Sequence, residues 1–477
     1  GFNIIGLAKF KAKAWAWPVA VGLILWFCGP IRPDSVSMAA WHMFAIFVAT
    51  IVGCITQPLP IAGTTLVGFT IMVLVGIVPM EEALKAFENS SSWLIAMAFL
   101  LSRGFIKTGL GRRIALVFVR SFGQHSLGLA YSIMGIDLVT SPAIPSNTAR
   151  AGGVVYPIIK SLAETYGSDP KKGTRKKIGS FLVFTEFHSN LITSATFMTA
   201  MAPNLVVVAL AKTLNINITW VGWFVAGVLP SVLCLIAVPY IIYKMYPPEI
   251  KETPNAKTWA NSELEKMGSM KLSEKLMGLI FLLTLVLWML TSFIPAINAT
   301  FVAFLAIALL LITGVLETKD VLNESGAWNV LIWLSILVFM ASELTKLGFI
   351  KWFSNSIEGA LHGVSWIWVL VVLVVVYFYA HYFFASATAH VTAMYTAFVS
   401  VAIAAGAPAM LTAMLLAFTS AIMGSTTHYA NGPASILSSS GYVTQSEWWK
   451  MNFILGIFYL LVYGIIGTFW MRLIGIW

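Results

Sequence analysis

Charged residues are scarce in this chain: Asp, Glu, Lys and Arg together make up 10% of its 477 residues, against roughly 25% in soluble proteins. Hydrophobic residues make up 59%. Apolar runs of about 20 residues, the length that crosses a bilayer as a helix, recur from end to end. Alternating segments of about 10 residues, which mark membrane β-barrels, are missing. The composition excludes a soluble domain and predicts an all-α polytopic membrane protein.

Cysteine is also rare. Cys28, Cys54 and Cys234 are scattered through apolar runs, so they form neither a disulfide framework nor a metal-ligating motif. The zinc-protease pattern His-Glu-x-x-His is absent, and Ser425 with His428 is only a superficial Ser/His pair. We therefore expect no metal, no cofactor and no enzymatic activity.

The net charge of +10 does not indicate a nucleic-acid partner, because the Lys and Arg residues cluster beside apolar segments. Such clusters are typical of cytoplasmic loops. Lys9, Lys11 and Lys13 precede the first apolar run, which predicts a cytoplasmic N-terminus. That run continues into further membrane segments and is not interpreted as a signal peptide. The expected location is the cytoplasmic (inner) membrane, with many Trp residues at span ends in contact with membrane lipids.

Further basic stretches lie at 103–120, 168–177 and 244–275. If all are cytoplasmic, the apolar stretch from 126 to 163 enters and leaves on one side. It is interrupted by the sequence SPAIPSN. Non-helical backbone at membrane depth is tolerated where protein or a wet cavity surrounds it. We predict a re-entrant hairpin with Ser146, Asn147 and Thr148 at its tip.

The chain contains an internal repeat. KTGL, beginning at Lys107, recurs as KLGF 239 residues later, and SNTAR, beginning at Ser146, recurs as SATAH 240 residues later. A third pair, TSATFMTAMAPN (193–204) and MGSTTHYANGPA (423–434), is offset by 230 residues. Each member is a polar, Pro-containing break inside an apolar run. This pair matches Thr196 with Thr426 and Pro203 with Pro433.

Three pairs in the same order predict a duplicated chain. The predicted architecture has about 11 transmembrane helices plus two re-entrant hairpins, in two inverted-topology repeats, as in secondary transporters. The expected parts are an extra N-terminal helix, a first repeat with its tip at 146–148 and a broken helix near 193–204, a cytoplasmic or interfacial linker, and a second repeat with its tip at 386–388 and a broken helix near 424–433. Their ranges are 1–35, 36–245, 246–272 and 273–477.

Broken helices in such folds meet near the middle of the membrane. Their N-termini carry partial positive charge and unpaired N–H groups, so two facing N-termini predict an anion site. Ser, Thr and Asn side chains add donors without net charge. A carrier is favoured over a channel, which needs a continuous pore.

At these motifs the sequence resembles the divalent anion/sodium symporter family, over nearly the whole chain. SNTARAGG, SATAH and THYANGP are similar to the branch of citrate/succinate and tartrate/succinate antiporters and plastid 2-oxoglutarate/malate translocators. The resemblance implies a homodimeric elevator transporter. It implies C4–C6 di- or tricarboxylate substrates, bound at both tips through Ser146, Asn147, Thr148, Ser386 and Thr388.

One position departs from the family pattern. Sodium-coupled members repeat Ser-Asn-Thr at the second tip, whereas this chain has Ala387, whose side chain offers no oxygen to a hard cation. Arg150, His390 and His428 lie near the tips and could neutralise substrate charge instead. The hypothesis is sodium-independent antiport, enforced by the cost of an unpaired arginine at membrane depth. The alternative is sodium-coupled dicarboxylate symport.

The remaining site predictions concern the broken segments and two carboxylates. Asp137 and Glu186 lie in apolar runs, where such groups are usually paired, so we expect each to pair with an Arg, Lys or His. The broken segments complete the predicted substrate site with Thr196, Pro203, Thr427 and Pro433.

Overall fold

The computed structural model describes residues 11–477; 78% of the chain is helix, and the described residues contain no strand. Lys9, on which the predicted orientation of the N-terminus partly depends, lies outside these residues. The helices up to the polar linker are α1 (Ala12–Phe27), α2 (Met38–Thr56), α3 (Ile61–Leu74), α4 (Met80–Ala83), α5 (Ser90–Thr108), α6 (Leu110–Phe122), α7 (Ser126–Thr140), α8 (Asn147–Ala149), α9 (Tyr156–Thr165), α10 (Gly179–Thr196), α11 (Ala202–Thr213) and α12 (Trp220–Met245).

A linker helix and the second half of the chain follow. These helices are α13 (Pro254–Met267), α14 (Leu272–Leu290), α15 (Ala299–Ile312), α16 (Thr318–Asn323), α17 (Ser325–Lys346), α18 (Phe349–Ala360), α19 (Trp366–Ala380), α20 (Ala387–Ala404), α21 (Ala409–Ile422), α22 (Gly432–Ser439), α23 (Gln445–Leu461) and α24 (Gly467–Leu473). A π-helical turn, Arg150–Val155, joins α8 to α9, and another, Val462–Ile466, joins α23 to α24.

Within residues 11–477, seven helical segments are long and apolar enough to cross a membrane, and α5 with α6 makes an eighth if this pair, bent by 64°, is one span. Six shorter apolar helices accompany them. The all-helical membrane architecture predicted from the sequence is confirmed. The seven segments are Met38–Thr56, Trp220–Met245, Leu272–Leu290, Ser325–Lys346, Trp366–Phe383, Ala387–Ala404 and Gln445–Leu473.

The order of elements repeats. In each half a long helix, α5 or α17, ends at a glycine and turns into the shorter helix α6 or α18. These glycines, Gly109 and Gly348, have φ of 78° and 85°, a left-handed conformation that glycine adopts without steric cost. They are the glycines of the KTGL and KLGF motifs. A broken stretch (α7 to α9, or α19 to α20) and a second interrupted pair (α10 and α11, or α21 and α22) follow in both halves.

The interrupted pairs lie at the centre of the molecule. All residues of α10 are buried, as are the residues of α21 from Leu411 to Ile422, and the two helices pack against each other. Polar residues on helices this deeply buried need internal partners. The contacts that satisfy them define the candidate site.

Candidate anion-binding site

Both predicted tips are helix N-termini capped by serine. The Ser146 hydroxyl accepts a hydrogen bond from the Ala149 N–H at 3.1 Å, and the Ser386 hydroxyl accepts one from Ala389 at 3.2 Å. Residues 146–148 and 386–388 are partly exposed, whereas residues 141–145 are buried. The three residues at each tip are therefore accessible to a small ligand.

The Arg150 side chain is fully buried and forms an ion pair with Asp137, with 3.0 Å between Nε and Oδ1. Its other nitrogens donate to the carbonyls of Ile144 and Ala200 and to the Ser194 hydroxyl. The expected pairing of Asp137 with a cation is confirmed. The expectation of an unpaired arginine is wrong, because a buried guanidinium without a counter-ion is too costly to desolvate.

Helix α10 ties this ion pair to the first tip. Thr193 donates to Oδ1 of Asp137 at 2.6 Å. The Asn190 amide donates both to Oδ2 of Asp137 and to the backbone carbonyl of Asn147, each at 3.1 Å. The first tip is thus held by a network that contains one positive and one negative charge.

Glu186, one turn before Asn190 on α10, does not follow expectation. It is fully buried, and no N–H or hydroxyl group of the described residues donates to either carboxyl oxygen; its carboxyl group lies beside that of Asp137. The charged groups that act on it are Asp137 and Arg150, but Arg150 is already engaged by Asp137. The predicted ion pair of Glu186 with a cation is wrong for this structure.

A histidine pair anchors the second tip. Nδ1 of His390 lies 2.8 Å from Nδ1 of His381, and Nε2 of His381 lies 2.7 Å from the carbonyl oxygen of Ala430. Both rings are buried and stack with each other and with Phe384. Arg150 and His390 occupy matching repeat positions. Arg150 donates to the carbonyl of Ala200, between α10 and α11. His390 is linked through His381 to the carbonyl of Ala430, between α21 and α22.

One short segment brings the two tips together. Ala430 binds the histidine pair behind the second tip. Two residues on, Gly432 packs so closely against Thr148 of the first tip that a methyl group there would overlap the Thr148 side chain. The segment Ala430–Gly432 therefore contacts the first tip directly and the second half-site through the histidine pair behind its tip.

The interrupted helices add two more N-termini. Helix α11 begins with Ala202 and Pro203, and α22 begins with Gly432 and Pro433. Proline at this position sacrifices no intrahelical hydrogen bond. The N-cap of α22 is Asn431, whose side chain accepts from the Ala434 N–H at 2.8 Å.

The other predicted site residues fall into two groups. Thr196 and Thr426 donate to carbonyls of nearby backbone, so their hydroxyl protons are engaged. The buried Thr427 hydroxyl has no partner. His428 is partly exposed and accepts a hydrogen bond on Nδ1 from the Trp449 indole at 3.0 Å.

Sequence reasoning missed several supporting residues, namely Asn190, Thr193, Ser194 and Asn431. For the residues on α10 the spacing was a signal: positions 186, 190 and 193 lie on one face of a helix because they are four and three residues apart. Asn431 also precedes a Gly-Pro pair, the pattern of an N-cap followed by proline in the first turn.

Together these elements define a candidate site for an anion. Helix N-termini supply partial positive charge and N–H donors, and partly exposed Ser, Asn and Thr residues lie at the tips. Among residues 11–477 no group of three or more His, Cys, Asp or Glu residues could hold a metal ion.

Known families and proteins are similar to this chain over almost its whole length. A family model described as the sodium:sulfate symporter transmembrane region matches residues 10–477. The putative malate transporter YflS of Bacillus subtilis (strain 168) is 50% identical over 460 residues, covering 96% of each chain. The L-tartrate/succinate antiporter of Shigella sonnei (strain Ss046) is 35% identical over 463 residues, covering 93% of this chain and 94% of that protein.

The fold also resembles a solved transporter. The crystal structure of the Alcanivorax borkumensis YdaH transporter, described as having an unusual topology, aligns with a TM-score of 0.54. The alignment covers 92% of this chain and 99% of that one at 10% sequence identity. At this identity the likeness concerns the fold alone.

Proposed function

The chain belongs to the sodium:sulfate symporter family of membrane transporters, and from this premise we propose that it exchanges one C4–C6 di- or tricarboxylate for another across the cytoplasmic membrane without sodium. The observation that carries the proposal is the pair of serine-capped helix N-termini, which the segment Ala430–Gly432 links by packing against Thr148 of the first tip and accepting from His381 behind the second. The names of the relatives, a malate transporter and a tartrate/succinate antiporter, support small dicarboxylates as substrates.

In this proposal each tip holds one end of the substrate. Ser146, Asn147 and Thr148 bind one carboxylate, and Ser386 and Thr388 bind the other, with donors from backbone N–H groups at both helix starts. Charge-assisted hydrogen bonds of this kind are roughly twice as strong as neutral ones. Arg150 acts by fixing the shape of the first tip, because its own charge is balanced by Asp137.

Further polar groups lie in and beside the interrupted segments. We propose that Thr196, Pro203, Thr427 and Pro433 shape the two interrupted-helix starts around the substrate, with His390 and His428 nearby. The Thr427 hydroxyl lacks an internal partner and can donate to the substrate or to a water molecule beside it.

Exchange follows if the empty carrier crosses slowly. Without an anion, the tip N–H groups that the capping side chains do not engage and the buried Thr427 hydroxyl lack strong acceptors, and unsatisfied donors at membrane depth are costly. This replaces the argument from an unpaired arginine. Ala387 offers no side-chain oxygen for a cation at the second tip, which supports sodium independence.

The proposed mechanism is an elevator in a homodimer, with the two halves in inverted orientation and the N-terminus in the cytoplasm. An apolar crevice of about 410 Å³ lies where α2, α17 and α18 face α11 and α20. Residues on α20 follow directly from the second tip. In an elevator, the helices that carry the tips slide past a fixed layer of helices. Loose packing between the two groups of helices, as at this crevice, would permit that movement. Outward-facing apolar side chains, such as Trp368 and Phe469, would contact membrane lipids.

Counterflow in liposomes tests the proposal. The purified protein is reconstituted, vesicles are preloaded with unlabelled succinate, and uptake of labelled malate, succinate, tartrate, 2-oxoglutarate and citrate is measured without sodium. We expect uptake only into loaded vesicles. Sodium-dependent uptake into empty vesicles would contradict exchange and favour sodium-coupled symport, the alternative suggested by the family's description.

A further inference from the structure

The buried histidine pair behind the second tip has only one arrangement of protons when both rings are neutral. A carbonyl oxygen cannot donate, so Nε2 of His381 must donate to Ala430. Nδ1 of a neutral His381 is then an acceptor, and Nδ1 of His390 must donate to it. Nε2 of His390 is left without a proton, and it is buried without any hydrogen-bond partner.

The residue that carries this nitrogen lies one helical turn from the tip. His390 follows Ser386 by four residues, and its backbone N–H donates to the Ser386 carbonyl at 3.2 Å. A proton on Nε2 would create a buried cation, which needs a negative charge nearby to be tolerated. Among residues 11–477 no carboxylate is hydrogen-bonded to either histidine of the pair.

The surroundings of His390 contain few other ionisable groups. His381 comes from the turn that follows α19, and the Tyr377 phenol of α19 packs 4.5 Å from the His390 ring. Of the other helices packed against α20, α21 has no ionisable side chain and α11 has only Lys212, in its last turn. Helix α2 carries His42, and α18 carries Lys351 and Glu358. Among these groups, His381 is the one that shares a hydrogen bond with His390. A substrate carboxylate at the tip would thus be the main counter-charge for a proton.

We infer that Nε2 of His390 takes up one proton from water when a dicarboxylate binds at the second tip, and releases it when the anion leaves. This inference rests on the proposed function and adds to it a coupling between proton and substrate. The protonated ring is still hydrogen-bonded through Nδ1 to His381, so the pair keeps its geometry. The added positive charge offsets one negative charge of the substrate.

Calorimetry on the unaltered, detergent-purified protein tests the inference. Succinate is titrated in buffers of different ionisation enthalpy between about pH 7 and 8.5, where carboxylic acids are fully ionised. We expect uptake approaching one proton per bound succinate and an affinity that falls up to about tenfold for each unit of pH. Intact binding with no proton uptake and a pH-independent affinity would overturn the inference alone. No binding at any pH would overturn the proposed function with it.

Variants locate the proton. His390→Gln cannot be protonated at the ring position, so proton uptake should disappear and the remaining affinity should not vary with pH. His188→Gln is the matched control, because this buried histidine already uses both nitrogens, with Tyr459 and Asn452 at 2.8 and 2.7 Å; it should retain the uptake. Uptake that survives His390→Gln but disappears in Glu186→Gln would overturn the assignment.

Discussion

The ion pair between Arg150 and Asp137 is the most constrained contact at the scale of single residues. Both side chains are fully buried, and neutral groups from α10 and the interrupted segment satisfy the remaining atoms. Removing one partner leaves an uncompensated charge. We therefore predict that Arg150→Ala destabilises the protein by roughly 3–5 kcal/mol and abolishes exchange, as measured by unfolding in detergent and by counterflow.

Two variants control for this effect. Lys85→Ala breaks an exposed ion pair with Glu82 and should leave stability unchanged, since such pairs contribute little. Asp137→Asn combined with Arg150→Ala removes both charges and should unfold less readily than Arg150→Ala alone. If Arg150→Ala were as stable as Lys85→Ala, the ion pair would not support the tip.

Substitution of the two tip threonines should weaken substrate binding rather than stability, unlike substitution in the buried Arg150–Asp137 pair. Neither the Thr148 nor the Thr388 hydroxyl forms an internal hydrogen bond among the described residues, and both side chains are partly exposed. Thr148→Ala or Thr388→Ala should weaken succinate binding by about 1.5–3 kcal/mol, the range for a hydrogen bond to a charged group, without lowering stability. Thr70→Ala on α3 is the control. Unchanged affinity in both tip variants would exclude these hydroxyls from the site.

Gly432 gives a steric test of the contact between the halves. An alanine methyl group there would overlap the Thr148 hydroxyl and lie 3.1 Å from its Cβ and Cγ2. Gly432→Ala should therefore displace the first tip and reduce counterflow. Gly359→Ala, whose methyl group would meet nothing within 4 Å, should have no effect on transport. Normal exchange by Gly432→Ala would show that the tip does not depend on this contact.

For single residues, the sequence indicated which side chains belong to the candidate site but not which partners they have. The pairing of Asp137 followed from the cost of burying a carboxylate, but the identity of its partner did not. The two are 13 residues apart, and α7 and the first tip meet only because the chain reverses. His381 carried no signal that distinguished it from any buried histidine, because its role depends on Ala430, 49 residues away.

At the scale of elements, hydropathy predicted where apolar segments lie but not where they bend. The apolar helix Trp220–Met245 runs through Pro230 and Pro239 without a break, whereas the stretch around the tip predicted at 386–388 is divided into α19 and α20. Apolar composition is the same on both sides of such a break. The interruption at SPAIPSN was predictable because proline and polar residues mark it, and the structure has no α-helix between Thr140 and Asn147.

Helix α16 is held against α5 by the ion pair of Asp320 with Lys107, and this contact can be tested. Asp320 accepts hydrogen bonds from the Lys107 ammonium on α5 and from the Glu317 backbone N–H. The hydrogen bond from Lys107 is the main reason that the pKa of Asp320 is lowered. Because folding lowers the pKa of Asp320, its ionised side chain stabilises the folded protein above the unfolded-state pKa of about 4. This stabilisation is lost as the pH falls through the folded-state pKa.

We therefore predict that the contribution of Asp320 to stability is constant around neutral pH and declines only below about pH 4. Asp320→Asn should have a lower unfolding temperature than the unaltered protein at pH 7, and this difference should shrink in acid. Glu317→Gln, which alters a more exposed carboxylate nearby, is the control. A difference that grew on acidification would contradict the assignment.

At the scale of the whole molecule, the duplication explains why the site has two similar halves with different chemistry. The same position is Arg150 in one half and His390 in the other, and each belongs to a cluster that reaches the interrupted pair of its own half. Short motifs predicted this correspondence. The contact between halves through Gly432 and Thr148 was not predictable, because no local pattern specifies how two repeats dock.

The crevice of about 410 Å³ beside α20 allows a test of movement by the whole molecule. Ala393 on α20 lines it together with Phe47 on α2 and Leu344 on α17. A tryptophan at position 393 can occupy the open space in this conformation, but overpacking would oppose sliding of α20 past the other helices. Ala393→Trp should thus slow exchange sharply while succinate affinity in detergent stays unchanged. Val371→Trp, on the exposed side of α19, is the matched control and should exchange normally. If Ala393→Trp exchanged at the unaltered rate, α20 would not move across this boundary during transport.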